Sequence, residues 1–413
     1  MILKELLNRN IRLLWAGQLV SQSGDAITHM ATIWLMLQLT GSATMTGLVA
    51  FAGTFPALIF GLIAGVVVDR FNRRNLMLIS DMVRFSLVLT IPLLFMSENL
   101  SPLILAILVF LMATFSTLFN PARDAILPQL TSRNQLFRVN TLMQSTSYFA
   151  YFAGLFGAGI ILGWAGLINL FYLDAITFAF SFIMIWWMVI PKIPANSSTL
   201  PEIGLKNRSW QDLKIGLRYV WRDDRRILGI VLITALNNFF IMGPAVVGIP
   251  LVIKSAWGGG GSDFAFVEST YGIGMLLGAI LVYWYAQRFG KGVWLMLGMI
   301  YDGLTFIPIL VVDKLGVAPL YAMIGIIFIH SIGIPFIQVT RTTLIHSLVP
   351  NHMQGRVFAM VNLAVIGMTS LSVALTGIIA EMISPQVIFL LIGIGGALCG
   401  VAGLLYSPIR QAD

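Results

Sequence analysis

Residues 123–139 read RDAILPQLTSRNQLFRV, and residues 341–357 read RTTLIHSLVPNHMQGRV. Each segment places two arginines 15 residues apart, has a leucine in register between them (Leu130, Leu348), and has a valine after the second arginine. The offset of 218 residues is close to half of the 413-residue chain. Working outward, each copy follows the fourth of six long apolar runs, so the two copies hold the same place in two halves of the sequence. Two parallel six-helix repeats are implied.

The runs lie near 11–39, 44–68, 75–97, 101–122, 137–163, 167–190, 226–253, 264–287, 292–312, 317–341, 354–381 and 385–406. A helix needs about 20 predominantly apolar residues to cross the hydrocarbon core, and barrel strands need only about 10. Backbone groups in lipid must pair internally, so runs of this length read as helices. The fold class is all-α: a polytopic membrane protein of twelve transmembrane helices in two six-helix bundles. Composition agrees, with 58% hydrophobic and only 10% charged residues, against roughly 25% charged in soluble chains. A soluble enzyme, a nucleic-acid-binding protein and a disordered chain are excluded. The single cysteine, Cys399, rules out an internal disulfide and a cysteine metal site, and is read as a small core residue.

The net charge of +8 is distributed asymmetrically. Of the Lys and Arg residues, 22 fall in segments on the side of the termini, two (Lys254, Lys314) fall on the opposite side, and Arg84 lies inside span 3. The positive-inside rule then puts both termini in the cytoplasm. The hydrophilic segment 191–225 is rich in Pro, Ser, Asn and charge. It divides the chain into an N-terminal bundle (1–190), a cytoplasmic linker (191–225) and a C-terminal bundle (226–413). Within the linker, Trp210 to Trp221 has the spacing of an amphipathic helix lying on the membrane surface.

Gly65-Val-Val-Val-Asp69-Arg70-Phe-Asn-Arg73-Arg74, between spans 2 and 3, resembles the G-x-x-x-D-R-x-x-R-R loop signature of the major facilitator superfamily. Gln18-Leu-Val-Ser21-Gln-Ser-Gly24-Asp25, Phe119-Asn-Pro121-Ala122-Arg123 and Asp174-Ala-Ile-Thr-Phe178 are similar to the branch of proton-driven macrolide-efflux and siderophore-export proteins. The surroundings of Gly24-Asp25 and residues 119–142 also resemble lysophospholipid transporters. Span 5, Gly154-Leu-Phe-Gly157-Ala-Gly159, departs from exporters of the superfamily that carry a Gly-Pro pair there. The resemblance implies a bacterial inner-membrane transporter working by alternating access. It also implies that Gly65, Asp69, Arg70, Arg73, Arg74, Asp81, Arg84, Arg123 and Arg341 form or flank a charge latch closing the cytoplasmic side. The competing reading is that these charges are topology anchors. The latch is preferred because Asp69 opposes the positive pattern around it and needs a partner.

An ionisable side chain inside a span is a functional candidate by default. Asp25 sits well inside span 1, and His29 follows four residues later on the same helix face. Asp25 is expected to carry a coupling proton. The alternative is a buried Asp–His pair that only fixes packing. For His29, the ring whose ordinary titration lies nearest neutrality, the two readings stand level. Gln18 and Ser21 extend the polar stripe. With Asn120, Gln144, Tyr148, Tyr151, Asn237, Asn238, Gln338 and Asn362 they are expected to wall a substrate cavity. Asp174, Asp302 and His330 are read as packing residues, and Glu268 and Glu381 as solvated groups near the outer face.

No catalytic constellation, metal-ligand cluster or nucleotide loop is evident. Gly258-Gly-Gly-Gly261-Ser lacks the Lys-Ser/Thr of a phosphate-binding loop. No enzyme activity and no cofactor are therefore expected. The expected partners are the lipid bilayer, protons and an amphipathic small molecule, with no nucleic acid. Since two halves in one chain complete a pathway, a monomer is expected. The leading function is proton-coupled export of a drug, macrolide or siderophore. The alternative is a lysophospholipid transporter without obligatory proton coupling.

Overall fold

The computed structural model describes residues 8–131, 133–189, 214–221, 224–285, 290–314 and 317–412. Twelve long helices follow one another: α1 Arg9–Thr40, α2 Ala43–Arg70, α3 Arg73–Met96, α4 Pro102–Leu130, α5 Arg133–Ala165 and α6 Ile168–Trp186, then α7 Arg225–Trp257, α8 Gly261–Tyr285, α9 Lys291–Lys314, α10 Pro319–Leu348, α11 Asn351–Ile379 and α12 Pro385–Leu405. The described residues contain no strand. Eleven of these helices are long and apolar enough to cross a membrane. The twelfth is α1, whose polar stripe lowers its hydropathy. Its 32 residues span roughly 48 Å at 1.5 Å per residue, ample for a crossing.

Local signals set the helix ends. The Asn8 side chain caps α1 by accepting from the Ile11 N–H at 2.9 Å, and Gly41 ends it in the left-handed region at φ +64°. Ser42 begins α2 one residue later, accepting from the Met45 N–H at 3.3 Å. The tight turn between α1 and α2 thus combines a glycine that tolerates positive φ with an N-cap hydroxyl.

Two breaks interrupt the second half. Pro244 to Gly248 forms a π turn within α7, and α9 passes into a 3-10 segment at Ile307–Lys314. A proline removes one backbone donor and crowds the preceding turn, which accounts for the break at Pro244.

The repeated segment is helical on both sides of its turn. The fourth run continues through Pro121 and Pro128 to Leu130, and the tenth through Pro335 to Leu348, roughly two turns beyond the expected ends. Ile126, Leu127 and Leu130 on α4, and Leu344 and Ile345 on α10, are buried there, so packing extends these helices past the strictly apolar stretch. Arg123 and Arg341 therefore sit within helices.

Residues 214–221 form the described part of the expected surface helix, and Val220 is buried with Val357 and Val361 of α11. Trp210 and most of the expected linker lie outside the described residues, as do Lys192 and Arg288.

Candidate functional site: a buried charge network and an acidic cavity

Glycines bring α1 against α6. A Cβ added at Gly24 would meet the Asp174 carboxylate and the Thr177 hydroxyl, and one added at Gly17 would stand 3.3 Å from the Met184 Cβ. This close approach carries polar groups of α1 into contact with α3 and α6. Arg84 of α3 donates to Asp25 of α1 at 3.0 Å and to Asp81 of its own helix at 3.0 Å. The other Asp81 oxygen accepts from the Ser181 hydroxyl at 2.7 Å. The Arg84 guanidinium lies over Phe178 at 4.3 Å and Phe119 at 5.1 Å. Asp174 accepts from Thr28 at 2.6 Å and from Thr177 at 2.9 Å. Arg84, Asp81 and Asp174 are buried, while the Asp25 side chain is 43% exposed. One guanidinium thus serves two carboxylates, and only one of those reaches open space.

In this conformation Asp81 and Arg84 stand apart from the expected latch residue Asp69. Their i,i+3 pairing is present, and both belong to the network of Asp25. Gln18 and Ser21 are likewise buried, at 2% and 1% exposure, and do not wall a cavity. Instead the Gln18 side-chain amide oxygen accepts from Arg123 at 3.2 Å, and Arg123 also pairs with the adjacent Asp124 at 2.8 Å.

A cavity of about 310 Å³ lies between α1 and α5 on one side and α7, α8, α9 and α10 on the other. His29, Tyr151, Asn237, Asn238, Gln338 and Arg341, all expected near the transport pathway, line it. Asn120, Gln144, Tyr148 and Asn362 do not, and Asn120, Gln144 and Asn362 are exposed elsewhere. Asp25 lies outside the lining too, one turn of α1 from His29.

The cavity also contains groups whose importance the sequence did not reveal. Glu268 is 9% exposed rather than solvated, and its carboxylate accepts from the Tyr151 hydroxyl at 2.9 Å, joining α5 to α8. Asp302 and His330 line the same space rather than serving only as packing. The His330 Nδ1 lies 3.0 Å from the Thr305 hydroxyl, and its ring stacks on Phe306 at 3.9 Å.

The face opposite the termini is sealed between the two halves of the chain. Gly47 of α2 and Gly377 of α11 touch backbone to backbone: a Cβ added at Gly377 would lie 2.9 Å from the Gly47 Cα and 2.7 Å from the Ala43 carbonyl oxygen. Glu381, just past α11, accepts from the Ser42 hydroxyl at 2.6 Å and the Thr44 N–H at 3.1 Å. It is exposed, as expected, but engaged. The Ser42 hydroxyl and then the Thr44 N–H hold its carboxyl below the usual glutamate range. Lys254 donates to the Leu37 carbonyl at the end of α1, at 3.0 Å. The charges and the helix ends are complementary: an anion meets the N-terminus of α2 and a cation meets the C-terminus of α1.

At the terminal face the signature residues make no comparable bridge. Among the described residues Asp69, Arg70 and Arg73 have no ion pair. Arg74 donates to the Ile185 carbonyl at 3.0 Å and to that of Trp186, tying α3 to α6 of the same half. Gly65 lies in open space.

Comparison with known proteins is consistent along the whole chain. The family model described as transmembrane secretion effector (MFS_3) matches residues 3–413. The multidrug efflux pump Tap of Mycolicibacterium fortuitum is 27% identical over 403 residues, covering 96% of this chain and 95% of that protein. Macrolide efflux protein A of Streptococcus pyogenes is 24% identical over 403 residues, covering 97% and 96%. Among solved structures, a bacterial homologue of the iron transporter ferroportin in an inward-facing state aligns with TM-score 0.76 at 13% identity, covering 97% of this chain and 99% of that one. The nucleoside transporter NupG aligns with TM-score 0.75 at 10% identity, covering 98% and 100%. These likenesses establish the architecture, and with the family match over nearly every residue they place the chain as a multi-pass membrane protein of the transmembrane secretion effector family within the major facilitator superfamily.

Proposed function

We propose that this protein is a proton-coupled secondary exporter of amphipathic organic molecules from a bacterial cytoplasm, working by alternating access between bundles 1–190 and 226–413. The observation that carries the coupling role is the position of Asp25. It is an intramembrane carboxylate, bonded to a buried arginine, and the one member of that network open to solvent. When a proton arrives on Asp25, its hold on Arg84 weakens and Arg84 turns wholly to Asp81. Protonation of Asp25 thereby changes the bonding between α1 and α3. His29, one turn away, faces the substrate cavity.

The charge asymmetry of the loops supports cytoplasmic termini. On that orientation the sealed face is external and the structure is a cytoplasm-facing state. The open signature loop fits this state, with Asp69, Arg70 and Arg73 available to form the latch when the cytoplasmic side closes. The family match and the efflux pumps among the relatives support export.

The test is transport in vesicles with an imposed pH gradient, using macrolides, other amphipathic drugs, siderophores and lysophospholipids, with internal pH as the readout. Substrate-dependent proton movement is expected for the wild type and not for Asp25→Asn, which should still insert and purify normally. Gradient-driven transport at the wild-type rate by Asp25→Asn would remove the proton role from this residue.

A further inference from the structure

The two halves treat their intramembrane acids differently. In the first half, Asp25 and Asp81 share Arg84. In the second half, Glu268 of α8 and Asp302 of α9 line one cavity, and among the described residues neither has an arginine or lysine partner. Among the described residues, Glu268 Oε1, Asp302 Oδ1, Tyr271 Oη and Asn237 Nδ2, each on a residue at least nine-tenths buried, make no well-formed hydrogen bond, although the Asn237 amide adjoins Asp302. All four residues line the cavity. His330 Nε2 approaches Asp302 Oδ1 at 3.5 Å, too far for a good hydrogen bond. Unpaired polar groups in such surroundings are costly, and an uncompensated buried carboxylate especially so.

The other cationic groups facing this space do not supply the missing charge. Arg341 lies eleven residues beyond His330 on α10, roughly 16 Å toward the terminal end. His29 projects from the opposite wall, and the His330 ring is fixed by Thr305 and Phe306. Apart from Asn238 and Gln338, the remaining walls are apolar and aromatic, with Ile33, Met242 and Phe264 beside Tyr151 and Tyr271. A space of this kind, apolar with a few convergent polar groups, suits a small organic ligand. Its two carboxylates set the sign of the ligand's charge, and its tyrosine rings add attraction for a cation.

We propose that this cavity is a binding site for monovalent amphipathic organic cations, such as protonated amines with bulky apolar substituents, with Glu268 as the principal anchor and Asp302 as the second. Anionic amphiphiles, including catecholate siderophores and acidic lysolipids, are disfavoured there. The inference narrows the substrate class of the proposed exporter and rests on that reading for its role in transport, but not for binding itself. Because Tyr151 donates to Glu268 across the two halves, a cation at Glu268 acts on a bond that joins them.

The test is direct binding to the purified full chain, using labelled tetraphenylphosphonium and its oppositely charged counterpart of similar shape, tetraphenylborate. The wild type is expected to favour the phosphonium by at least about tenfold, the scale of one charge-assisted contact. Glu268→Gln and Asp302→Asn should each weaken phosphonium binding by about tenfold and strengthen, not weaken, borate binding. Thermal unfolding and size-exclusion profiles establish that each variant is folded, and Glu268→Asp, which keeps the charge, should bind better than Glu268→Gln. Equal affinity for the two ions, or wild-type phosphonium binding by both neutral variants, overturns the proposal. Charge-selective binding without coupled transport would instead overturn the exporter reading and leave the binding site standing.

Discussion

Gly377→Ala should open the face opposite the termini. The added Cβ would stand 2.7 Å from the Ala43 carbonyl oxygen and 2.9 Å from the Gly47 Cα, about 0.5–0.7 Å inside ordinary contact. Both neighbours are backbone atoms and cannot rotate aside, so α2 and α11 must separate. Forcing one extra carbon into a packed contact costs about 1–3 kcal/mol. If the two helices part in the other conformation, that cost falls on the sealed state alone. The ratio of open to sealed molecules should then rise by about 5- to 150-fold.

The distance between spin labels at Asn99→Cys and Val317→Cys would report it. Both positions are exposed in loops of that face, one in each half, and Cys399→Ala removes the buried native thiol. The expected result is a new population of longer distances. Gly65→Ala is the control, because a Cβ on that glycine of α2 meets nothing within 4 Å. An unchanged distance distribution for Gly377→Ala, or an equal change for Gly65→Ala, would refute the argument that glycine contact seals this face.

The same labels should respond to acid but not to ordinary changes near neutrality. Glu381 is held below its usual range only while bonded to Ser42 and Thr44, so its contribution to sealing is full above the ordinary glutamate value, roughly 4.3, and is lost as pH falls through the lowered one. Distances should be flat from about pH 6 to 8 and lengthen below about pH 4, and Glu381→Ala should show the lengthening at neutral pH without further acid response. In the first half, Arg84→Gln should destabilise the fold by about 3–5 kcal/mol, because it strands the fully buried Asp81. Thermal unfolding should show a large drop for Arg84→Gln and partial recovery when Asp81→Asn is added, and equal stability of the single and double variants would contradict the assigned pairing.

The repeat around Arg123 and Arg341, the apolar runs and the loop charges made the architecture legible, because membrane insertion imposes length and charge rules that act along the sequence. Asp81 and Arg84 were legible as a pair for a similar reason, since i,i+3 neighbours share a helix face. Their partner was not: Asp25 lies 59 residues from Arg84, and the bond depends on Gly24 admitting α6 beside α1. Glu268 was misjudged through depth. It lies seven residues into α8, about 10 Å from the helix start, which suggests contact with water when the helix is considered alone. The approach of α5, with Gly159 against Phe266 and Gly272 against Phe152, covers that region and places Glu268 in the interior. Asp302 and His330 resemble packing residues one at a time, and their convergence with Glu268 exists only once α8, α9 and α10 are assembled.

The distribution of bond strengths bears on how such a molecule would move. The strongest polar contacts are buried within a half, as between Arg84, Asp81 and Ser181. Between the halves the sealing bonds are of a weaker kind: Glu381 is exposed, and Lys254 meets a single carbonyl. Exposed charged contacts contribute little, about 0–1 kcal/mol each. Two conformations that interconvert must lie within a few kcal/mol of one another, and weak contacts between stiff bundles satisfy that requirement where a buried ionic network would not. The Tyr151–Glu268 bond differs in kind, since it joins the halves from inside the cavity through a carboxylate. A ligand there competes for Glu268 at the point where the halves are bonded, so occupancy can shift the balance between states without reaching the outer seal.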